Sequence, residues 1–402
     1  MQWRKDLEQQ GLAFSGSYLG DLGASVRGGT KRNITYDGLL QLNLDADFSP
    51  LLHWDGLTTH FSFLAPHGSH DGTRPSGALT DSTNIDFPHG YNLYEAWAQY
   101  EHAPTALSLR AGLLVVDGEF AIGGLDSAGL FLNDSLGTDA VLSNGIPAPT
   151  LPIAAPGLRI AWTPGDHFYI KGALYDGNPA PGVFPDPSSP ASTNANANAF
   201  GTHWALRRSE GALWVGELGW QQRPPSSQST PSAPATAQPL PLDRSFALGF
   251  IHHTDTFLDT RGRAPHHGNP ALYAAVDCAV WANADATRSV KVFARAMGAS
   301  SDRNLVDRSA QTGIVCNGPI SGRSDDQLGL AWSWLRADTH LLSDDPQPTK
   351  ARACENVIEL SYKARITPWL SLQPDLQYVI NPLADRAASN SLVITLRTEL
   401  LF

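Results

Sequence analysis

The chain has 402 residues, a formal net charge of −11 at pH 7 and a hydrophobic share of 42%. No uninterrupted apolar stretch reaches the roughly 18 residues of a membrane-spanning helix, which excludes a helical membrane bundle. No basic stripe offsets the negative charge, so the composition also argues against a nucleic-acid-binding protein.

The chain opens with a short amphipathic segment, residues 1–10, which predicts a helix at the periplasmic end of the molecule. From residue 11 onward the dominant pattern is an alternation of apolar and polar side chains. Within Tyr36–Phe48, for example, Leu40 and Leu42 belong to an apolar row, whereas Gln41 belongs to a polar one. Such a period of two is typical of a strand with one apolar and one polar face.

Alternating segments recur to the C-terminus, and each has the roughly ten residues that a tilted strand needs to cross a bilayer. Sixteen segments are predicted, starting near residues 11, 34, 57, 91, 106, 157, 166, 201, 211, 244, 271, 289, 326, 354, 369 and 391. Aromatic side chains near the segment ends suit interfacial girdles; they are Tyr94, Tyr100, Trp162, Trp220, Trp332, Trp334, Trp369 and Tyr378. The pattern predicts an all-β fold: a 16-stranded antiparallel transmembrane β-barrel over residues 11–402, closed by an apolar row that ends at Phe402.

The connections between the segments are expected to alternate in length, with short periplasmic turns and long extracellular loops. The long extracellular loops are predicted at His67–Gly90, Asp117–Pro156, Asp176–Phe200 and Arg223–Asp243. A short turn is predicted at Ser209–Gly211. Two connections break the alternation, because Asp255–Pro270 and Ser300–Asp325 would be long and periplasmic. Either they are periplasmic extensions or the strand count is wrong in this region.

Three cysteines occur, and the predicted topology separates them. Cys278 lies on the apolar row of a strand and is expected to behave as a small hydrophobe. Cys316 is expected at the periplasmic end and Cys354 near the extracellular rim. All three thiols are therefore predicted to be free.

Several motifs carry a resemblance to a known family. They are NLYEAWAQY (Asn92–Tyr100), SLRAGLLVVDGEF (Ser108–Phe120), APGLRIAWTPGDHFYIKGALYDGNP (Ala155–Pro179) and ENVIELSYKARITPWLSLQPDLQYVINP (Glu355–Pro382). Through these motifs, which extend over nearly the whole chain, the sequence resembles the OprB-type carbohydrate-selective porin family. The resemblance implies a sixteen-stranded barrel in the outer membrane of Gram-negative bacteria, sugar permeation, no catalysis and no cofactor.

The candidate pore-lining side chains lie in the first half of the chain. Alternation directs one group of strand residues into the lumen, and the Asp117–Pro156 loop is expected to fold inward as a constriction; the alternative is an extracellular lid. The predicted solute-binding residues are Glu95, Trp97, Arg110, Asp117, Glu119, Arg159 and Lys171. Opposed acidic and basic groups suit a neutral polyol, because each hydroxyl both donates and accepts hydrogen bonds. A purely structural network in the lumen is the competing interpretation.

The sequence thus favours passive diffusion of mono- or oligosaccharides, with a general or anion-preferring porin as the alternative. A structural outer-membrane protein with a plugged lumen is disfavoured, because no segment resembles a globular plug. Expected partners are sugars, outer-membrane lipid and lipopolysaccharide, with no nucleic acid; a monomer and a homotrimer both remain open. The pairs His252-His253 and His266-His267 lack the spacing of a metal site, and neither GxSxG nor GxxxxGK[ST] occurs.

Overall fold

The segments with alternating polarity form strands that close into one antiparallel barrel. Strands that are consecutive in the chain are neighbours in the sheet, and the first strand pairs with the last. The computed structural model describes residues 2–30, 32–69, 76–87, 89–121, 127–137, 146–179, 201–202, 206, 208–222, 242–285, 287–342 and 352–402. The sixteen strands are β1 (Leu12–Arg27), β2 (Ile34–Asp47), β3 (Leu57–Gly68), β4 (Asn92–His102), β5 (Leu107–Leu114), β6 (Ala155–Trp162), β7 (Phe168–Asp176), β8 (Ala212–Gln222), β9 (Arg244–Leu258), β10 (Pro265–Ala282), β11 (Ser289–Ala299), β12 (Val306–Asn317), β13 (Gln327–Asp338), β14 (Arg352–Thr367), β15 (Leu370–Ile380) and β16 (Ser391–Leu401). The predicted sixteen-stranded barrel is confirmed.

Helices are few and short. The described residues form α1 (Gln2–Gln9), α2 (Phe48–Leu52) and α3 (Thr339–Leu342). The first of these confirms the helix expected at the N-terminus. Across the described ranges, no helix has the length and apolar character needed to span a membrane.

The alternation observed in the sequence separates the two faces of the wall as predicted. Leu42 and Leu109 point outward and are 44% and 39% exposed. Gln41 points into the lumen, where its amide donates to the hydroxyl of Ser62 at 3.0 Å. Ser108 also faces inward and accepts a hydrogen bond from Arg159 Nη1 at 2.8 Å. An apolar outer face and a polar inner face are what a strand exposed to lipid on one side requires.

The C-terminal residue completes the closure. The backbone N–H of Gly16 donates to the carbonyl of Phe402 at 2.8 Å, and the N–H of Phe402 donates to Gly16 at 2.9 Å. Both chain termini therefore lie at one end of the barrel, called the terminus end below. The opposite end is called the loop end.

Two strand positions differ from the prediction. Residues 201, 202 and 206 are not in a strand, and the expected turn Ser209–Gly211 is a 3-10 turn, Arg208–Glu210, that leads into β8. Conversely, β12 (Val306–Asn317) occupies a segment that was expected to be a loop, and β10 begins at Pro265 rather than near residue 271. The two errors cancel in the strand count.

The corrected strands change the positions of three connections. The segment between β8 and β9 joins strand ends at the terminus end, so Arg223–Asp243 is not an extracellular loop as predicted; residues 223–241 lie outside the described residues. The β9–β10 connection is a short turn at the loop end, and Ser300–Asp325 contains one strand between two short turns. Of the two alternatives for these connections, an error in the strand assignment is therefore the correct one, and long periplasmic extensions do not occur there.

The three cysteines are unpaired, as expected. Cys316 lies near the last residue of β12 at the terminus end, whereas Cys354 lies near the start of β14 at the loop end. The length of the barrel wall therefore separates these two thiols.

A bulge corrects the prediction for Tyr94. The β3–β4 register shifts so that Ser62 pairs with Glu95 and Phe63 pairs with Leu93, which leaves Tyr94 as the extra residue. A bulge of this kind re-aims side chains, and Tyr94 is buried against Leu64 rather than exposed in an aromatic girdle. Leu113 near the end of β5 and Val115 just beyond it are buried in the same cluster.

Candidate functional site

The described parts of two loops from the loop end lie inside the barrel. Loop A (residues 69–91) connects β3 to β4, and loop B (residues 115–154) connects β5 to β6. In the described parts of loop B, Phe120, Leu132 and Leu136 are fully buried. Phe120 lies in one buried cluster with Tyr273, and Leu136 lies in another with Phe293. The lumen is therefore lined in part by loop backbone and not only by strands.

Lumen carboxylates accept backbone N–H groups of loop B. Glu217 on β8 accepts from Ala121 at 2.7 Å, and Asp277 on β10 accepts from Ser127 at 3.2 Å. Glu359 on β14 accepts from two successive backbone amides of the loop, at 2.6 and 3.1 Å. Hydrogen bonds from loop amides to these side-chain carboxyl oxygens fix the described parts of loop B across the lumen, from β8 to β14.

Loop A is held in the same manner by β14 and by the nearby strands β16 and β1. Both carboxylate oxygens of Glu355 on β14 accept from the N–H of Leu79, at 3.0 and 2.9 Å. Asp21 on β1 forms a double hydrogen bond with Arg397 on β16, each at 2.7 Å, and also accepts from the hydroxyl of Thr83. The two loops are in direct contact, since Asp134 N–H of loop B donates to the carbonyl of Asp81 of loop A at 3.1 Å.

A cavity of about 230 Å³ lies between the first residues of loop B and the lumen face of β3–β7. Its lining is His60, Glu95, Trp97, Arg110, Leu114, Val115, Gly118, Glu119, Arg159 and Tyr175. Two arginines and two glutamates therefore face the same small space, together with an indole, an imidazole and a phenol. Each hydrogen-bonding role that a hydroxyl group needs is present.

Glu119 of loop B contacts cationic groups from three successive strands. Its carboxylate lies 3.1 Å from Arg110 Nη1 on β5, 3.3 Å from Arg159 Nε on β6 and 3.8 Å from Lys171 Nζ on β7. Lys171 also donates to the backbone carbonyl of Glu119 at 2.9 Å. Both arginines donate to the same oxygen of Gln99, at 2.8 and 2.7 Å. The two guanidinium groups are therefore held by both the loop and the wall.

The indole of Trp97 is held from both neighbouring strands. The imidazole of His60 on β3 stacks against it with ring centroids 5.1 Å apart, and the guanidinium of Arg110 on β5 lies 4.0 Å from its centre. Its Nε1 donates to Glu95 at 3.2 Å. His60 in turn contacts Asp45 at 2.7 Å. Trp97 is therefore positioned to orient Arg110 through a cation–π contact.

Of the seven residues predicted from the sequence, Glu95, Trp97, Arg110, Glu119 and Arg159 line this cavity. Lys171 does not line it but contacts Glu119. Asp117 has a different position: its carboxylate accepts the N–H groups of Gly118 and Leu151, at 3.1 and 3.0 Å, and so joins the two ends of loop B.

His60 was not among the predicted site residues. Phe61 faces outward, so alternation along β3 directs its neighbour His60 into the lumen. The same alternation identified Glu95, and it could have identified His60 from the sequence. No cluster of metal-ligating side chains occurs among the residues that the structure describes.

Comparisons with known proteins agree with this architecture. The family described as "Carbohydrate-selective porin, OprB family" matches residues 31–402. Porin B of Pseudomonas aeruginosa is 22% identical over 437 aligned positions, which cover 99% of this chain and 89% of that protein. The high-pH structure of Pseudomonas putida OprB superposes with a TM-score of 0.82 at 18% identity and covers 100% of this chain and 96% of that one. Salmonella typhi OmpF gives a TM-score of 0.58 at 9% identity, covering 98% and 99% of the two chains. The barrel is thus a bacterial outer-membrane protein, and the chain belongs to the OprB family of carbohydrate-selective porins.

Proposed function

We propose that this chain is a passive outer-membrane pore for neutral sugars and that the cavity beside Glu119 is its selective region. The observation that carries the proposal is the composition of the lining, in which Arg110 and Arg159 face Glu95 and Glu119. Two positive and two negative groups leave no net charge to attract a small ion. A neutral polyol, in contrast, can accept from the arginines and donate to the carboxylates.

The size of the cavity agrees with a small solute. At about 230 Å³ it is below the roughly 300–1,000 Å³ of pockets that hold drug-sized ligands. A solute the size of a monosaccharide fits better than a long oligosaccharide in one bound pose. Longer sugars would pass one residue at a time.

Within this proposal the arginines are the direct sugar contacts, and Trp97 has a supporting role. The indole is already in contact with His60 and Arg110, so little of its ring is free to stack on a pyranose. Arg110 retains part of its side chain exposed to the cavity, at 22%. Its planar fork can donate to two hydroxyls at once. Glu119 fixes the position of that fork.

Planar-bilayer recording with Arg110→Ala tests the proposal. Graded glucose is expected to block the wild-type ion current, and the variant is expected to lose about tenfold in apparent affinity, the scale of one hydrogen bond to a charged group. Arg110→Lys keeps the charge but not the fork and is expected to lie between the two. Arg263→Ala, which removes one exposed cation from the β9–β10 turn, is the matched control.

The reversal potential under a salt gradient separates this proposal from an anion-preferring or general porin. A balanced lining predicts weak ion preference in the wild type and a shift toward cations in Arg110→Ala. A strong anion preference combined with no block by any sugar would contradict the proposal and support the anion-preferring alternative.

A further inference from the structure

A second cavity, unrelated to the lumen, lies on the outer surface at the loop end. Its volume is about 590 Å³, and its lining is Arg27, Gly28, Gly29, Thr30, Arg32, Tyr378, Ser389 and Asn390. Arg27 is the last residue of β1, and the other lining residues belong to the β1–β2 turn, to β15 or to the approach to β16. The lining includes two arginines and none of its members is acidic, in contrast to the balanced charges of the lumen cavity.

A β-bulge turns Arg27 toward the outside. The β1–β16 register pairs Ser25 with Val393 but then shifts, so that Arg27 pairs with Leu392. Residues directly opposite in an antiparallel pair share a face. Leu392 shares its face with Ile394, which is exposed on the outer wall. Without the bulge, alternation would have directed Arg27 into the lumen.

The arginines of this cavity differ from others at the same end of the barrel. Arg303, for example, pairs with Asp302 at 2.8 Å. Arg27 and Arg32 are exposed, and neither forms an ion pair with any residue in the described part of the chain. Two solvated cations within one lining repel each other unless an anion lies between them. The cavity is therefore suited to an anionic ligand.

The outer wall beside the cavity, on the side of the bilayer, indicates what kind of molecule the anionic group belongs to. Leu22 and Ile34 are 51% and 70% exposed on the outer face of β1 and β2, and Tyr36 and Tyr378 are also exposed there. Tyrosines at this height mark the boundary between acyl chains and head groups. A ligand that fills the cavity from the membrane therefore has an anionic head above apolar chains.

We propose that this cavity binds a phosphate group of an outer-leaflet glycolipid. Arg27 and Arg32 would donate to the phosphate oxygens, since the guanidinium fork matches phosphate geometry. The hydroxyl of Ser389 can add a further donor, and Asn390 is held in place by its bond to the Tyr378 hydroxyl at 3.0 Å. The acyl chains would lie along the exposed apolar residues of β1 and β2.

The test measures binding of labelled diphosphoryl lipid A to the purified barrel in detergent micelles. The double variant Arg27→Ala/Arg32→Ala is expected to bind about tenfold more weakly than the wild type, since charge-assisted hydrogen bonds are lost. The matched control is Arg261→Ala/Arg263→Ala, which removes the same charge from the exposed turn between β9 and β10. It is expected to change binding by less than about twofold.

Two further arms identify the ligand group. The same glycolipid without its phosphates is expected to bind wild type as weakly as the diphosphoryl form binds the double variant. Inorganic phosphate alone is expected not to compete, because it lacks the acyl chains. Effective competition by inorganic phosphate would replace a lipid site with a free-anion site and overturn the proposal.

A second variant keeps the test decisive if the double arginine variant fails to fold. Asn390→Asp keeps the Oδ1 acceptor for Asn381 N–H but adds a negative charge to the lining. It is expected to weaken lipid binding without altering the glucose block of the pore. Equal losses in the arginine variant and its control, or unchanged binding in Asn390→Asp, would show that the cavity is not a phosphate site.

Discussion

Replacement of Glu359 by alanine is expected to release part of loop B from the wall of the barrel. Glu359 is fully buried on β14, and its two oxygens accept from Leu132 N–H at 2.6 Å and Asn133 N–H at 3.1 Å. Alanine removes both acceptors and leaves two backbone donors in a space that water reaches poorly. The rest of the loop remains held, since Gln373 donates to the carbonyl of Leu130 at 2.6 Å.

The size of the effect follows from these two bonds. A buried backbone donor left without its acceptor costs about 1–3 kcal/mol, so the loss of both acceptors costs about 2–6 kcal/mol at most. Water that enters the vacated space recovers part of this amount. A net loss of only about 1.4 kcal/mol raises the population of the detached loop tenfold. We therefore expect larger mean single-channel conductance and more open-channel noise.

Single-channel recording in planar bilayers, at one salt concentration and without sugar, measures both quantities. Glu359→Gln keeps one acceptor oxygen and is expected to lie between wild type and Glu359→Ala. Glu399→Ala is the matched control, because Glu399 pairs with Lys363 at 2.6 Å and accepts no bond from either loop in the described residues. Identical conductance and noise in all four proteins would refute the assignment of Glu359 as an anchor of loop B.

Three further predictions follow from the wall and its turns. Leu42→Lys is expected to hinder membrane assembly, since a lipid-facing cation near the midplane costs about 2–4 kcal/mol, whereas Gln41→Lys is tolerated; equal folded yields, read from heat-modifiable gel mobility, would show that the register is wrong. Thiol titration of the denatured, unreduced protein is expected to find three free cysteines, and fewer would contradict the topology. In the turn between β12 and β13, the hydrogen bonds from Arg323 hold the pKa of Asp326 below its ordinary value. The stabilisation is therefore complete above the unfolded pKa of about 3.9 and lost as pH falls through the lower folded value. Urea unfolding from pH 7 to 3 should show this loss in wild type, while Asp326→Asn should be less stable at pH 7 and show a smaller acid loss.

The strands that the sequence predicted correctly are those whose two faces differ in polarity. β2 is such a strand, because its lumen row contains Gln41 and Asn43 and its outer row contains Leu42 and Leu44. Alternation also identified Arg110 and Glu95 as lumen residues, and both line the cavity. Where water fills the lumen, the alternation of polar and apolar side chains is sufficient to predict where a strand lies and which of its residues face inward.

β12 was missed because its faces do not differ in this way. Its lumen row is polar at Ser309 and Gln311 but apolar at Val315, which lies in one buried cluster with Phe131 of loop B. Its outer row includes Arg308 and Thr312, so polar side chains occur on both faces. The loop brings apolar surface into the lumen, so an inward-facing residue no longer needs to be polar. The position of a strand that faces a buried loop depends on contacts distant in sequence, which a local pattern does not contain.

The functional site was predicted only in part, because the contacts of its loop residues also depend on parts of the chain that are distant in sequence. Glu119 could be named as a polar loop residue, but its contacts with three cations depend on how loop B enters the lumen. Asp117, from the same stretch of sequence, instead accepts the N–H of Leu151 and closes the loop base. Composition cannot separate a carboxylate that faces solute from one that holds backbone.

This distinction explains why the net charge of −11 is a poor guide to what passes through the pore. Glu217 accepts from Ala121 N–H and from the hydroxyls of Tyr169 and Tyr273, at 2.7, 2.9 and 2.9 Å. Its hydrogen-bonding capacity is therefore used within the wall, and both oxygens of Glu359 are likewise occupied by loop amides. Carboxylates that bind loop amides hold the lumen in shape but contribute little to the field that a solute meets. Two arginines and two glutamates line the cavity, and on this basis we propose that the pore discriminates by hydrogen bonding rather than by charge.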